Sequence, residues 1–241
     1  MIKITSLSNN IIKDLAKLSD KKYRQINKQF LVEGYHLINE ANKINRLNTV
    51  LITKEEDYID GVNNILVTNE IIKKITNTIS PQGIVGVCDM VESSISGDRF
   101  LILDNISDPG NMGTLIRSAL GFNIDTVIVS DDSVDIYNDK VIRSTQGAIF
   151  NINIVICDIS KAIDELKENN VMIIGTSLKS SKYLNDINRV NKYAIILGNE
   201  ASGIKEEVLN KTDFNVKIKI NSKLESLNVA IAGGIIMNHF M

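Results

Sequence analysis

The chain has 241 residues, of which 44% are hydrophobic and 23% charged, and its formal net charge is −2. This composition excludes a disordered chain, and the small net charge argues against a protein that coats nucleic acid indiscriminately. The polar first ten residues lack the apolar core of a signal peptide. The longest apolar run near the end, Val229–Met237, is too short to cross a bilayer. We therefore expect a cytoplasmic protein with no membrane partner.

Cysteine and histidine are too scarce to build a metal site or a disulfide framework. Cys88 and Cys157 are isolated and form no CxxC pair, and the only histidines are His36 and His239. A structural zinc site needs about four such ligands. We expect both thiols to be small buried side chains in a reducing compartment, and we expect no metal.

Positive charge is concentrated at the start of the chain. Residues 1–47 contain nine Lys or Arg and four Asp or Glu, which gives +5, and residues 48–241 carry −7. A basic segment on an acidic chain is the footprint of local phosphate contact. A solvated pair of basic helices with no partner explains the charge equally well.

Short elements of alternating type are predicted before residue 92. Helical spacing of apolar residues is found at Ile11–Leu18, Tyr35–Ala41 and Asn69–Thr76. Runs rich in β-branched and other apolar residues occur at Gln29–Glu33, Thr49–Thr53, Ile65–Thr68 and Gly83–Val91. The small polar stretch Glu92–Asp98 is the best linker in the chain. It predicts two domains, residues 1–97 and 98–241.

A regular alternation of strands and helices is predicted after the linker. The strand runs are Phe100–Leu103, Thr126–Ser130, Ile152–Ile156, Val171–Gly175, Tyr193–Gly198 and Phe214–Ile220. Helical stretches at Met112–Leu120, Lys161–Glu168 and Leu227–Phe240 lie between or after them. This alternation predicts an α/β domain with a mostly parallel sheet.

Three loops that follow predicted strands carry polar residues, and such loops bind ligands in parallel sheets. In the first, Pro109-Gly110 predicts a turn, and Asn111 is expected to cap the helix that contains Arg117. The second, Gly198–Gly203, holds Glu200 between two glycines. A helix cap with a surface arginine, and a plain strand-to-helix turn, are the alternative interpretations of these two loops.

In the third loop, Ser226 is the expected cap of the last helix. That helix contains Gly233-Gly234, which suggests close packing against another backbone, although simple core packing is an equal alternative. Neither a GxGxxG nor a P-loop fingerprint occurs in the chain, which disfavours a nucleotide-binding enzyme that uses its glycine loops for phosphates.

Taken together, these loops resemble the signature motifs of the SpoU (TrmH-like) RNA 2'-O-ribose methyltransferases. The matching residues, in the order and spacing of that family, are Asn111, Arg117, Leu197–Glu200 with Gly203, and Ser226–Asn228. Upstream, Tyr23-Arg24 and Gln29–Gly34 resemble the substrate-binding domain of the two-domain branch. The resemblance covers nearly the whole chain.

The resemblance implies a trefoil-knotted (SPOUT-type) catalytic domain preceded by a small α/β RNA-binding domain. It implies S-adenosylmethionine as cofactor, bound largely through backbone groups near Thr176, Leu178, Gly198, Ile218 and Leu227. The residues that it places in catalysis are Asn111, Arg117, Glu200, Ser226 and Asn228.

The chemical properties of each side chain indicate which of these roles it can perform. The Asn111 amide can donate and accept, so it suits orientation of the ribose. Arg117 is the base in one interpretation, but a guanidinium is a poor base near neutrality. In the other, which we favour, Arg117 stabilises the developing alkoxide while water takes the proton. Glu200 would anchor Arg117 or the loop amides, with Ser226 and Asn228 forming the pocket floor.

Because a pocket for one ribose reads little sequence, we expect residues 1–97 to select the RNA. The resemblance of Arg24 and Gln29–Gly34 to the ribosomal-RNA branch implies that this substrate is large-subunit ribosomal RNA. Tyr23, Phe30, Tyr35 and His36 offer rings for stacking, although Phe30 is better explained as a core residue. Transfer RNA is the alternative substrate, and a non-catalytic RNA-binding or assembly factor is the alternative class. The apolar last helix and the resemblance predict a homodimer built through the catalytic domain.

Overall fold

The computed structural model describes residues 1–178, 180 and 182–241. They form two compact units. The first comprises Met1–Val91 together with Asp135–Phe150, and the second comprises Glu92–Val134 together with Asn151–Met241.

Helices and strands alternate along most of the chain. Up to residue 91 they are β1 (Ile2–Ile4), α1 (Asn10–Lys17), α2 (Lys21–Asn27), β2 (Gln29–Glu33), α3 (Tyr35–Lys43), β3 (Leu47–Ile52), β4 (Asn63–Val67), α4 (Asn69–Ile75) and β5 (Ile84–Asp89). From residue 92 they are β6 (Arg99–Asp104), α5 (Pro109–Gly121), β7 (Thr126–Val129), α6 (Asp139–Thr145), β8 (Asn153–Ile156), α7 (Ile159–Glu168), β9 (Met172–Thr176), β10 (Lys182–Tyr183), β11 (Tyr193–Gly198), α8 (Glu206–Leu209), β12 (Phe214–Lys217) and α9 (Val229–Phe240).

The first unit is a mixed sheet in the order β1-β4-β3-β5-β2, in which β5 runs antiparallel to both β2 and β3. Helices α1 and α4 and one face of the sheet enclose an aliphatic core that includes Ile12, Ile71 and Val85. Burial of such side chains gives about 25 cal/mol per Å² of apolar area, so this core stabilises the unit.

The segment 135–150, which contains α6, belongs to this first unit. The ring of buried Phe30 lies 4.7 Å from that of Tyr137 and 6.2 Å from that of Phe150, centroid to centroid. The buried Arg24 guanidinium donates a 2.6 Å hydrogen bond to Asp135. The observed units therefore differ from the predicted division at residue 97 in two ways. The boundary lies at residues 91–92, and a later segment joins the first unit, where its aromatic side chains pack against Phe30.

The second unit has a sheet in the order β10-β12-β9-β11-β6-β7-β8, and all its strand pairs are parallel. One face packs on α7 through a core that includes Phe100, Ile163 and Ile196. The predicted α/β class with a parallel-sheet domain is confirmed. The trefoil knot implied by the resemblance stays a prediction.

Each predicted strand and helix has an observed counterpart, with ends shifted by a few residues. The sequence patterns missed β1, α2, α6, α8 and β10. These elements are short, between two and seven residues long, so their apolar periodicity is too brief to detect. No helix in the described part of the chain is long and apolar enough to cross a membrane.

Candidate active site

The polar loops meet where the strand order of the parallel sheet reverses. From β6 the chain proceeds outward to β7 and β8, and then returns to the other side of β6 to form β9 and β11. Asp104 and Gly198 are register partners at the carboxyl ends of β6 and β11. Ligands of open parallel sheets bind at such a switch point, so the loops after β6 and β11 form the candidate site.

Glu200 is the centre of a hydrogen-bonded cluster between these loops. Its Oε2 accepts from the Ser107 hydroxyl at 2.9 Å and the Ser107 amide at 3.3 Å. Its Oε1 accepts from the Asp108 amide at 3.2 Å and from Asn111 Nδ2 at 3.0 Å. Of the two anchoring roles predicted for Glu200, the structure therefore shows the bonds to loop amides.

This environment keeps Glu200 ionised. Partial burial by itself would raise the pKa of the carboxyl, but the hydrogen bonds from Asn111 and Ser107 outweigh it and lower the pKa to about 2. Glu200 is therefore an acceptor that holds the loop after β6 in place, and it is not a group that exchanges protons near neutral pH.

Asn111 lies inside the first turn of α5, and the prediction that it caps this helix is wrong. The cap is Asp108, whose Oδ1 accepts from the Asn111 backbone amide at 2.7 Å. Pro109 begins the helix because its fixed φ suits the first helical position. As a result the Asn111 side chain is free of capping, and it donates to Glu200 and accepts from Asn228 Nδ2 at 2.9 Å.

The prediction that Ser226 caps the last helix is also wrong. Helix α9 begins at Val229, and its cap is Asn228, whose Oδ1 accepts from the amides of Ala230 and Ile231. Ser226 is exposed two residues upstream, and it has no hydrogen-bond partner among the described residues. Asn228 thus performs two tasks with one amide: its oxygen caps α9 and its nitrogen holds Asn111.

The loop after β11 is a tight turn held by its own polar groups. Asn199 and Gly203 exchange two backbone hydrogen bonds of 3.0 and 2.9 Å. Asn199 Oδ1 accepts from the amides of Ala201 and Ser202, while its Nδ2 donates to the Asn105 carbonyl at 2.8 Å. Asn199 is a second link between the two loops; it lies within one of the matching motifs, but no role was predicted for it from the sequence. Its position directly after a buried strand was the available signal.

Gly198 is required by this turn. A Cβ there would lie 2.2 Å from the backbone carbon of Gly203 and from the amide nitrogen of Ile204. The resemblance implies cofactor contact near Gly198, but the backbone of the turn by itself already requires a glycine at this position.

Two further contacts fix the ends of the strands. The buried Asp104 carboxylate accepts from the Lys205 amide at 2.8 Å, and the Lys205 ammonium lies 2.7 Å from Asp132.

Helix α9 approaches closely at Gly233, where a Cβ would lie 2.6 Å from methyl carbons of Leu115 in α5 and Leu197 in β11. Gly233 therefore packs against side chains and not against another backbone, which is the core-packing alternative. This contact holds α9 against α5, and Asn228 lies beside Asn111.

Arg117 lies outside the cluster. It is exposed on α5, and at 100° per residue it is about 120° around the helix axis from Asn111. No described residue forms a hydrogen bond or ion pair with its guanidinium, so the alternative in which Glu200 anchors Arg117 is not observed. An exposed, unpaired guanidinium is available to an RNA phosphate or to a developing negative charge.

The residues predicted to hold the cofactor lie on neighbouring loops at one edge of the sheet. Thr176 ends β9 and donates to the Ile196 carbonyl of β11 at 3.0 Å. Ile218 directly follows β12, which is paired with β9 through Val216 and Thr176. Leu178 is 62% exposed, and Ile218 and Leu227 are half-buried. Accessible apolar side chains beside strand-end backbone groups are the chemistry that an adenine ring needs, so these residues fit S-adenosylmethionine.

Metal ligands are not gathered here. In residues 1–178, 180 and 182–241, no group of three or more His, Cys, Asp or Glu side chains could hold an ion. Cys88 is buried, which raises the pKa of its thiol to about 12, and Cys157 is half-buried.

Comparisons with known proteins agree with this geometry. The model of the SpoU rRNA Methylase family matches residues 98–238, and that of the MRM3-like substrate binding domain matches residues 9–86. The chain is 36% identical to the Bacillus subtilis 23S rRNA (guanosine(2553)-2'-O)-methyltransferase RlmP, with 99% of each chain covered. It is 31% identical to the 23S rRNA (guanosine-2'-O-)-methyltransferase RlmB of Coxiella burnetii, over 73% of this chain and 75% of that one.

A solved structure is similar over the same extent. The AdoMet-bound rRNA methyltransferase from Sinorhizobium meliloti superposes with a TM-score of 0.90 at 27% identity, covering 99% of this chain and 96% of that one. Both units and all three polar loops fall within the matched regions. The chain therefore belongs to the SpoU rRNA methylase family.

Proposed function

We propose that the protein transfers a methyl group from S-adenosylmethionine to a ribose 2'-hydroxyl of large-subunit ribosomal RNA. The observation that carries this proposal is the chain of hydrogen bonds Glu200–Asn111–Asn228, which joins the three family motifs at the switch point of the sheet. When bound, the cofactor supplies a sulfonium-activated methyl group. Alignment of the hydroxyl with that methyl group and stabilisation of the developing alkoxide fall to the chain.

Asn111 is the residue that we assign to orientation of the ribose. Its amide is held from both sides, by Glu200 and by Asn228. Alignment by such preorganised groups can supply most of the rate of a reaction that is otherwise bimolecular. Cofactor contact is assigned to the loops of Thr176, Leu178, Gly198, Ile218 and Leu227.

Arg117 is the residue that we assign to electrostatic stabilisation. Because its guanidinium has no partner among the described residues, its charge is available to the alkoxide that develops on the 2'-oxygen, while water carries off the proton. One preorganised donor of this kind is worth about 100- to 1000-fold in rate. Ser226, which is exposed in the Ser226–Asn228 motif, is assigned to the floor of the pocket.

RNA selection is assigned to the first unit. Of the four rings considered for stacking, Phe30 is fully buried and belongs to the core. The Tyr35 hydroxyl donates to Asp57, and His36 Nε2 lies 3.1 Å from the Gln146 carbonyl oxygen. Tyr23 is flanked by ammonium groups, since Lys17 Nζ and Lys22 Nζ lie 5.6 and 6.0 Å from its ring centroid. Tyr23 with its two lysines is the best candidate for RNA contact in this unit.

A test of substrate choice uses purified protein, tritiated S-adenosylmethionine, and either 23S ribosomal RNA or transfer RNA. We expect label in 23S RNA, and the guanosine named for the Bacillus relative is the first position to map. Label confined to transfer RNA would overturn the substrate, and absence of cofactor binding by calorimetry would overturn the activity.

The role of the first unit is best tested by substitution. Deleting residues 1–97 would remove Phe30 and leave Tyr137 and Phe150 without their core partner. Tyr23→Ala should raise KM for 23S RNA at unchanged kcat. The control is Tyr58→Ala, which removes an exposed tyrosine beside acidic Glu55–Asp57. Equal KM in the two variants would remove Tyr23 from the interface.

The protein is further proposed to act in the cytoplasm as a homodimer. Ile231 and Ile235 are exposed on α9, one helical turn apart and therefore on the same face. Leu120 is exposed on α5, which packs against α9 at Gly233. An apolar face on this helix pair suits a symmetric partner copy.

A further inference from the structure

The outer edge of the second unit carries two pairs of lysine and aromatic side chains. Strand β10 is the edge strand and pairs with β12, with Tyr183 opposite Lys217. Lys217 Nζ lies 4.8 Å from the Tyr183 ring centroid, and Lys182 Nζ lies 5.0 Å from the Phe214 ring centroid. Tyr183 is 41% exposed. These four residues, with Lys219 and Lys223 that follow, are here named the β10–β12 edge.

The lysines of this edge differ from the other described lysines of the second unit. Elsewhere in that unit, an ammonium nitrogen lies within 4.0 Å of a carboxylate in Lys161, Lys167, Lys192, Lys205 and Lys211. Within the described residues, no carboxylate pairs with Lys182, Lys217, Lys219 or Lys223. The nearby Asp186 accepts from the Tyr183 amide at 3.3 Å, and Glu225 is exposed. Among the described lysines of the second unit, the ammonium groups without a carboxylate partner are thus those of the β10–β12 edge.

We infer that the β10–β12 edge binds single-stranded RNA, in addition to the RNA contacts assigned to the first unit. This inference rests on the proposed function and specifies a second part of the substrate's path. Accessible rings offer stacking surfaces for bases, and the unpaired ammonium groups offer contacts for the phosphates between them. An acidic peptide would use the lysines but would leave the rings without a role.

The place of the edge in the sheet fits this assignment. Strand β12 ends one residue before Ile218, and Val216 is paired with Thr176 at the end of β9. Because the strands are parallel, the carboxyl ends of β10, β12 and β9 lie on the same side of the sheet as the polar loops. RNA bound along this edge is therefore led toward the loops assigned to the cofactor, where one ribose must be splayed out to react.

The test measures binding of a fluorescent 12-nucleotide oligouridine to the full-length protein as a function of salt. Tyr183→Leu keeps apolar bulk but removes the ring, and it should weaken binding at least fivefold, the lower end for one base–aromatic stack. Tyr183→Phe should bind as the wild type does. The double change Lys182→Ala with Lys217→Ala should reduce the slope of log K against log salt by about 1.4, since each phosphate contact to a single strand contributes about 0.7.

Lys161→Ala with Lys192→Ala is the matched control, because it removes the same charge from lysines that are already paired. If both double variants reduce the slope of log K against log salt equally, net charge alone determines binding and the inference is overturned. Wild-type binding by Tyr183→Leu would overturn it too, as would competition by an oligoglutamate peptide of equal charge as strong as that by RNA.

Methyl transfer to 23S RNA is measured separately, which keeps the two proposals apart. If oligouridine binding depends on Tyr183 but the protein transfers no methyl group, the proposed function is overturned and the inference that the β10–β12 edge binds RNA is retained. If Tyr183→Leu transfers methyl groups normally, with KM and oligouridine affinity both unchanged, only the inference about the β10–β12 edge is overturned.

Discussion

Asn228 donates a 2.9 Å hydrogen bond to Asn111, a residue 117 positions earlier in the chain. The same Asn228 side chain caps α9 through its oxygen, so the geometry of Asn111 depends on where the last helix begins. Changes at Asn228 can therefore separate the stability of the fold from the orientation of the site.

Asn228→Ala should lose both the cap of α9 and the hydrogen bond to Asn111, whereas Asn228→Asp should lose only the hydrogen bond to Asn111. Removing the cap costs about 1 kcal/mol of unfolding free energy, and we expect this loss in Asn228→Ala. Asn228→Asp keeps the capping oxygen but brings a carboxylate oxygen up to Asn111 Oδ1, so kcat should fall about 100-fold through misalignment with little loss of stability. Thermal unfolding and single-turnover methyl transfer measure the two effects. Full activity in Asn228→Asp would contradict this role.

Glu200 should remain ionised over the working pH range of the enzyme. Hydrogen bonding holds its pKa near 2 in the folded protein, below the ordinary value of 4.5. A lowered folded pKa stabilises the protein above pH 4.5, and this stabilisation is lost as the pH falls toward 2. The stability difference between wild type and Glu200→Gln should therefore be constant from pH 5 to 8 and shrink in acid, as measured by urea unfolding. A difference that changes between pH 6 and 8 would place the pKa elsewhere.

Adjacent glycines of α9 should respond to alanine with opposite signs. At Gly234 no described heavy atom lies within 4 Å of an added Cβ, so Gly234→Ala should gain about 0.5 to 1 kcal/mol from helix propensity. Gly233→Ala would press on Leu115 and Leu197, which are fully buried and have little room to move, so it should lose about 1 to 3 kcal/mol. Denaturant unfolding of both variants measures this, and a gain in both would refute the close packing of α9.

Arg117→Ala should reduce methyl transfer at least 100-fold while S-adenosylmethionine affinity stays within a few-fold of the wild type. The guanidinium is exposed and has no partner among the described residues, so the fold should be unaffected. Arg117→Lys serves as the charge-preserving control and should recover part of the rate. Near-normal turnover of Arg117→Ala would remove the residue from catalysis.

The dimer should depend on the exposed face of α9. Light scattering at micromolar concentration should give twice the chain mass of 26.8 kDa for the wild type, and Ile231→Glu should give the single mass. Ile26→Glu, which makes the same change at an exposed isoleucine of α2, is the control and should stay dimeric. A wild-type protein of single mass would refute the dimer.

The sequence patterns predicted most elements of the second unit because its central strands β6, β7 and β11 are buried on both faces and read as short apolar runs. They also predicted which loops would meet, since the carboxyl ends of parallel strands share one edge. The residue that caps each helix was predicted wrongly. For α5 a signal was available, because Pro109 suits the first helical position and so points to Asp108 as the cap. For α9 both Ser226 and Asn228 are good capping residues that precede the helix, and the sequence offers no comparable signal.

The first unit was harder to predict for a different reason. Nothing in the apolar pattern of Ile136, Tyr137 or Phe150 states which of two cores these side chains enter. That choice depends on the space beside Phe30, a property of the folded unit that local periodicity does not encode.

That residues 135–150 belong to the first unit has a consequence for biosynthesis. Strand β5 ends at Asp89, but the core around Phe30 is completed only by side chains as far along as Phe150. At about 5 to 20 residues per second, translation takes roughly 3 to 12 s to cover that distance. During this interval the nascent first unit exposes Phe30 at an open face, so the ribosome-bound protein presents a hydrophobic site that chaperones can bind before the enzyme is complete.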